Sequence, residues 1–192
     1  MINKKLLIDI YGYYTKYINF IGRQTVLQSK NGTPQGLANP NIYSVSVNST
    51  EKVNTQGYGL SVEYLLPKNF SINGNFYSDE IKNVPAGFVT YYNTPKFRTN
   101  IGLTNTGCLY KNRVGFSLQY RYQDSYTSQS DFITGNTPSF NTLDAQINYK
   151  FPSIKSIIKI GGMNITNHYY VTAIGNPSIG AVYYASFAYN VF

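Results

Sequence analysis

"LDAQINYKFPSIKSIIKIGGMNI", residues 143–165, contains two alternating runs around a turn. Leu143, Ala145, Ile147, Tyr149 and Phe151 form an apolar row, and Asp144, Gln146, Asn148 and Lys150 fill the positions between them. Successive side chains of a strand point to opposite faces, so a period of two sorts these residues into one apolar and one polar side. "PSIKS" (152–156) has the composition of a tight turn, and Ile158, Ile160 and Gly162 carry the apolar row along the return run. The stretch predicts a hairpin with one greasy face.

The same pattern recurs upstream. "YGLSVEYLL" (58–66) sets Tyr58, Leu60, Val62, Tyr64 and Leu66 against Gly59, Ser61 and Glu63. "VGFSLQYRY" (114–122) sets Val114, Phe116, Leu118, Tyr120 and Tyr122 against Gly115, Ser117, Gln119 and Arg121. Weaker versions lie at 4–20 (Ile8, Ile10, Gly12, Tyr14), 70–76 and 96–104. A last one runs through Tyr183, Ala185, Phe187, Tyr189 and Val191. That makes eight strands. Three links are short ("PKN", "LYKNR", "PSIKS"); the others, near 21–52, 82–95, 127–140 and 168–180, are long and rich in Asn, Gly, Pro, Ser and Thr. Short and long links alternate, so all long loops fall at one end of the sheet.

Composition narrows the class. Only 12% of the 192 residues are charged, about half the share of a soluble domain. Aromatics reach 16%, with 20 Tyr, 11 Phe and no Trp. The net charge of +8 is scattered through turns (Lys68, Lys111, Arg113, Lys155) with no dense basic run, which argues against a nucleic-acid partner. Cys108 is single, so no intrachain disulfide or thiol metal cluster can be built; His168, also single, reads as an ordinary loop residue, and no cofactor is expected. No Ser/His/acid grouping, paired carboxylate motif or phosphate loop points to an enzyme. No apolar run is long enough for a transmembrane helix, and "MINKKLLIDIYGYY" lacks the cleavage site of a signal peptide.

These features predict an all-β protein. Its core is an antiparallel transmembrane β-barrel segment of about eight up-and-down strands, with short periplasmic turns and long extracellular loops. A bilayer imposes this arrangement because every backbone polar group must be paired within the sheet. Aromatic rings are expected at both interfaces: Tyr64, Phe70, Tyr110, Tyr149 and Phe151 by the turns, and Tyr122, Tyr126, Tyr169 and Tyr170 toward the loops.

The ordered set "YGLSVEYLLPKNFSINGNFY", "TPKFRTNIGLTN", "LDAQINYKF", "GGMNITNHYY" and "YYASFAYNVF" resembles the C-terminal part of a TonB-dependent outer-membrane receptor across nearly the whole chain. The resemblance implies about eight of the ~22 strands of such a barrel. It also implies an energy-transducing contact with TonB through an N-terminal part absent here, and import of a scarce small-molecule, glycan or peptide ligand. The setting would be outer-membrane lipid of a Gram-negative bacterium. Residues 1–192 would then be a fragment, without plug domain or signal peptide and inactive alone. Phe192 resembles the C-terminal signal read by the barrel assembly machinery, although it is out of phase with the row Tyr183 to Val191.

Two other architectures stay open at this point. One is a self-contained eight-stranded outer-membrane barrel, with Asp9, Glu63, Asp79 and Asp144 paired inside it to Arg98, Arg121 and Lys150. The other is a soluble β-sandwich binding carbohydrate through exposed Tyr. Phe88, Tyr91, Tyr92 and Phe132, aromatics of the long loops, are candidates either for ligand contact or for packing the loops. "NST" (48–50) and "NIT" (164–166) match glycosylation acceptors by chance spacing.

Overall fold

The computed structural model describes residues 5–131 and 133–191. It contains thirteen strands: β1 (Leu6–Tyr17), β2 (Ile21–Gln28), β3 (Asn41–Asn48), β4 (Val53–Leu66), β5 (Phe70–Lys82), β6 (Phe88–Val89) and β7 (Phe97–Leu109), then β8 (Val114–Gln123), β9 (Tyr126–Gln129), β10 (Thr134–Thr137), β11 (Phe140–Phe151), β12 (Ser156–Met163) and β13 (Val182–Tyr189). Eight of them form one antiparallel sheet in the order β1-β4-β5-β7-β8-β11-β12-β13. These are the eight strands that the alternation predicts. The long loops, however, carry regular structure that the alternation does not reveal. β3, β2 and β6 make a three-stranded sheet, and β9 and β10 make a hairpin.

The register joins the apolar rows into a continuous band. Ile10 pairs with Leu60, Ile72 with Tyr64 and Leu103, and Leu118 with Leu103 and Ala145. Ile160 pairs with Ile147 and Ala185. Paired residues share a face, so these side chains all point the same way. They are uncovered: Ile10 is 73% exposed, Ile160 57% and Phe187 61%. Among the described residues the buried apolar side chains are only Val53 and Phe88. A sandwich would need a dry core between two sheets, so that architecture is excluded. The exposed band is a face for lipid.

At the opposite end from the long loops, left-handed residues close the hairpins. Lys68 (φ 59°) and Asn69 (φ 64°) turn β4 into β5, and Tyr110, Lys111 and Asn112 turn β7 into β8. Consecutive positive φ values give the twist that tight hairpins need, and Asn bears this conformation better than most residues. A bulge between Asn105 and Leu109 precedes the second turn. Asn105, 1% exposed, donates to Lys68 O (2.9 Å) and accepts from Gly107 N (2.8 Å), stitching the two turns together. β1 and β13 are the two ends of the strand order, so the sheet is a curved wall and not the closed eight-stranded barrel considered above.

Candidate functional site

The polar face of the wall is organised by carboxylates that each tie several strands. Asp79 of β5 accepts the Tyr13 hydroxyl of β1 (2.8 Å) and pairs with Arg98 of β7 (2.5 Å). Asp144 of β11 pairs with Arg121 of β8 and accepts the Asn164 N–H beyond β12 (2.8 Å). Both pairings are among those open from sequence. Lys150 instead donates to Thr106 O (2.7 Å), and Asp9 and Glu63 form no ion pair among the described residues. Asn100 bridges to Asn75 (2.9 Å) and Tyr184 to Gln146 (2.9 Å).

Four further tyrosines, none of them among those expected at the interfaces, face the other way. Tyr11, Tyr13, Tyr77 and Tyr184 lie on the polar face, in register with Gly59, Gly57, Gly59 and Gly161 respectively. A glycine leaves room for a ring to lie across the neighbouring strand. A Cβ at Gly59 would fall on the Tyr11 ring, and one at Gly161 would approach the Tyr184 hydroxyl to 2.7 Å. Two tyrosines expected at the loop-side girdle tie loops instead: the Tyr126 hydroxyl donates to Thr172 O, and Tyr170 stacks on Phe140 (4.1 Å).

Above this wall the loops are cross-connected. Phe88 is buried against Phe20 (6.2 Å) and fills the space over Gly22, while β6 adds to β2. Gln129 Oε1 accepts from Thr90 N (3.1 Å), Thr90 Oγ1 (3.1 Å) and Tyr91 N (3.2 Å). Asn93 exchanges two further bonds with the Gln129 backbone. Asp131 takes Arg23 (2.7 Å) and the Tyr91 hydroxyl. The Tyr91 hydrogen bond, and then Arg23, hold the Asp131 carboxyl below the usual carboxylate range. That link is complete above the ordinary carboxylate pKa and is lost as pH falls through the lowered value. The same bond pushes the Tyr91 hydroxyl up.

Between the loop ends of β5 and β7 and these segments lies a cavity of about 370 Å³, lined by Asp79, Glu80, Thr90, Tyr92, Tyr126 and Gln129. Of the loop aromatics singled out in the sequence, Tyr92 lines this cavity, Tyr91 bonds Asp131, and Phe88 packs the loops. Phe132 and Phe192 lie outside the described residues. Arg23, Gln129 and Asp131 have no signature in the sequence. Among the described residues no three His, Cys, Asp or Glu side chains converge on a metal position.

An open, twisted antiparallel wall, with its apolar face bare and its polar face cross-tied, has counterparts. The family model described as "TonB dependent receptor-like, beta-barrel" matches residues 3–167. The chain belongs to this family. It is accordingly an outer-membrane receptor wall of a Gram-negative bacterium, in a family of receptors and not of enzymes. Solved structures agree in fold. The copper transporter OprC superposes with a TM-score of 0.66 at 13% identity, covering 95% of this chain and 28% of that one. The ferric-catecholate import receptor Fiu of E. coli K12 gives 0.64 at 16% identity, covering 98% and 26%. The FrpB iron transporter of Neisseria meningitidis (F3-3 variant) gives 0.65 at 12%, covering 97% and 28%. The chain thus spans 26% to 28% of the length of these proteins. No curated protein matches it.

Proposed function

We propose that residues 1–192 form the C-terminal part of the barrel wall of an outer-membrane receptor that imports a scarce solute with energy from TonB. The observation that carries this reading is the open sheet. β1 and β13 end the strand order, and each presents a row of backbone donors and acceptors to the bilayer. Hydrocarbon does not tolerate unpaired backbone groups, so further strands must complete the cylinder. The partial coverage of the matched receptors supports the same conclusion. On this reading the contact with TonB lies in the rest of the receptor. The apolar band meets outer-membrane lipid, and Phe192 is the residue recognised by the barrel assembly machinery. The ligand, a small molecule, glycan or peptide, passes the polar face.

The reading implies that these residues alone transport nothing. Refolded by itself in detergent and reconstituted into liposomes, the chain should aggregate and give no ligand-dependent uptake. A defined barrel with such uptake would overturn the proposal. A folded but impermeable barrel would instead indicate closure of the eight strands on themselves.

A further inference from the structure

Three of the long loops meet at one carboxylate oxygen. Asp131 Oδ1, from the segment between β8 and β11, accepts from Arg23 Nη1 of β2 (2.7 Å) and Ser44 Oγ of β3 (3.5 Å), both between β1 and β4. It also accepts the Tyr91 hydroxyl, from the segment between β5 and β7. The Arg23 guanidinium stands 5.9 Å from the centroid of the Tyr91 ring, so the two strongest donors also attract each other. A second link joins only two of the loops. Gln129 caps Thr90 and Tyr91 and exchanges bonds with Asn93, independently of Asp131. Thr90, Tyr92 and Gln129 belong to the walls of the cavity below, so whatever fixes these segments also fixes its shape.

We infer that Asp131 is the releasable link that holds the β2–β3 hairpin against the two loops lining this cavity. The exposure of the pair favours release. Arg23 and Asp131 side chains are each 42% exposed, and an exposed pair in water is weak and screened by salt. Three donors on one acceptor make the link stronger than a single surface pair but leave it dependent on one charge. β2 is otherwise joined to the second of these loops by two ladder pairs, Arg23–Val89 and Gln24–Phe88, beside the Phe88 ring. Loss of the carboxylate charge therefore frees the β2–β3 hairpin, whereas the Gln129 link keeps the other two loops together. The inference goes beyond the transport reading and does not depend on it.

Hydrogen exchange measured by mass spectrometry tests it, on the natural gene product purified from the outer membrane, however many further strands complete that barrel. In Asp131→Asn, amide exchange should quicken about five-fold in residues 21–28, while residues 90–93, held by Gln129, and β4, β5 and β7 are unchanged. Wild type in molar salt should approach the variant, and the variant should be insensitive to salt. Gln129→Ala should quicken 88–93 without affecting 21–28. Unchanged exchange of 21–28 in Asp131→Asn, or a rise confined to residues next to position 131, would overturn the inference.

Discussion

Leu118→Arg should cost the assembled barrel about 2–4 kcal/mol, whereas Gln119→Arg should be close to neutral. The two residues are adjacent in β8 and face opposite ways. Leu118 sits between Leu103 of β7 and Ala145 of β11, in the middle of the apolar band, with Ile101 and Ile147 as diagonal neighbours. A guanidinium there faces hydrocarbon, and its nearest escape to water lies several residues along the strand. Gln119 sits between Gly102 and Asp144 on the polar face. An arginine at that position meets water and a carboxylate already engaged by Arg121. Unfolding of the assembled protein in lipid vesicles, followed by circular dichroism or electrophoretic shift, reads both costs. Equal penalties at 118 and 119 would mean that the two faces are not lipid and lumen.

That contrast also explains what was legible in the sequence. A bilayer makes one face of every spanning strand uniformly apolar, so the period-two signal survives at 58–66, 114–122 and 143–151 with hardly an exception. The pairing of short turns with long loops fixes which end is which. The loop strands obey no such constraint. β2, "IGRQTVLQ", carries Arg23, Gln24 and Thr25 in succession, and both of its faces mix polar and apolar residues. It is a strand because β3 and β6 pair with it, not because its own pattern demands one. The Asp131 link joins residues 108 positions apart through side chains alone, and no local spacing announces it. Asn105 is similar: its role depends on a bulge that shifts the register beside it. The inward tyrosines are similar: room for the Tyr11 and Tyr13 rings depends on the register, which sets Gly59 and Gly57 across from them.

Gly57→Ala should destabilise the barrel by about 1–3 kcal/mol, a typical cost of forcing volume into a filled site. Gly57 lies between Tyr13 of β1 and Asp79 of β5. A Cβ built on it stands 2.5 Å from the Tyr13 ring, 2.5 Å from the backbone oxygen of Ser78 and 2.8 Å from the Asp79 carboxylate. The ring and the carboxylate can move, but the backbone oxygen is held in the sheet. Moving the other two breaks the Tyr13–Asp79 hydrogen bond and disturbs the Asp79–Arg98 pair, the group of contacts tying β1, β5 and β7. Gly12 is the control. It lies in the same region of β1, but the nearest atom to its Cβ is Gly57 O at 3.8 Å, an ordinary contact on the lipid side. Gly12→Ala should therefore change stability by no more than about 0.5 kcal/mol. The mechanism adds a further requirement: if the Tyr13 ring is what the new methyl displaces, truncating the ring first must relieve part of the penalty. In a double-mutant cycle, Gly57→Ala should cost less in a Tyr13→Ala background than in wild type. A penalty unchanged by the loss of the ring would trace the whole effect to the Ser78 backbone. Tyr13 would then lie across Gly57 without depending on it.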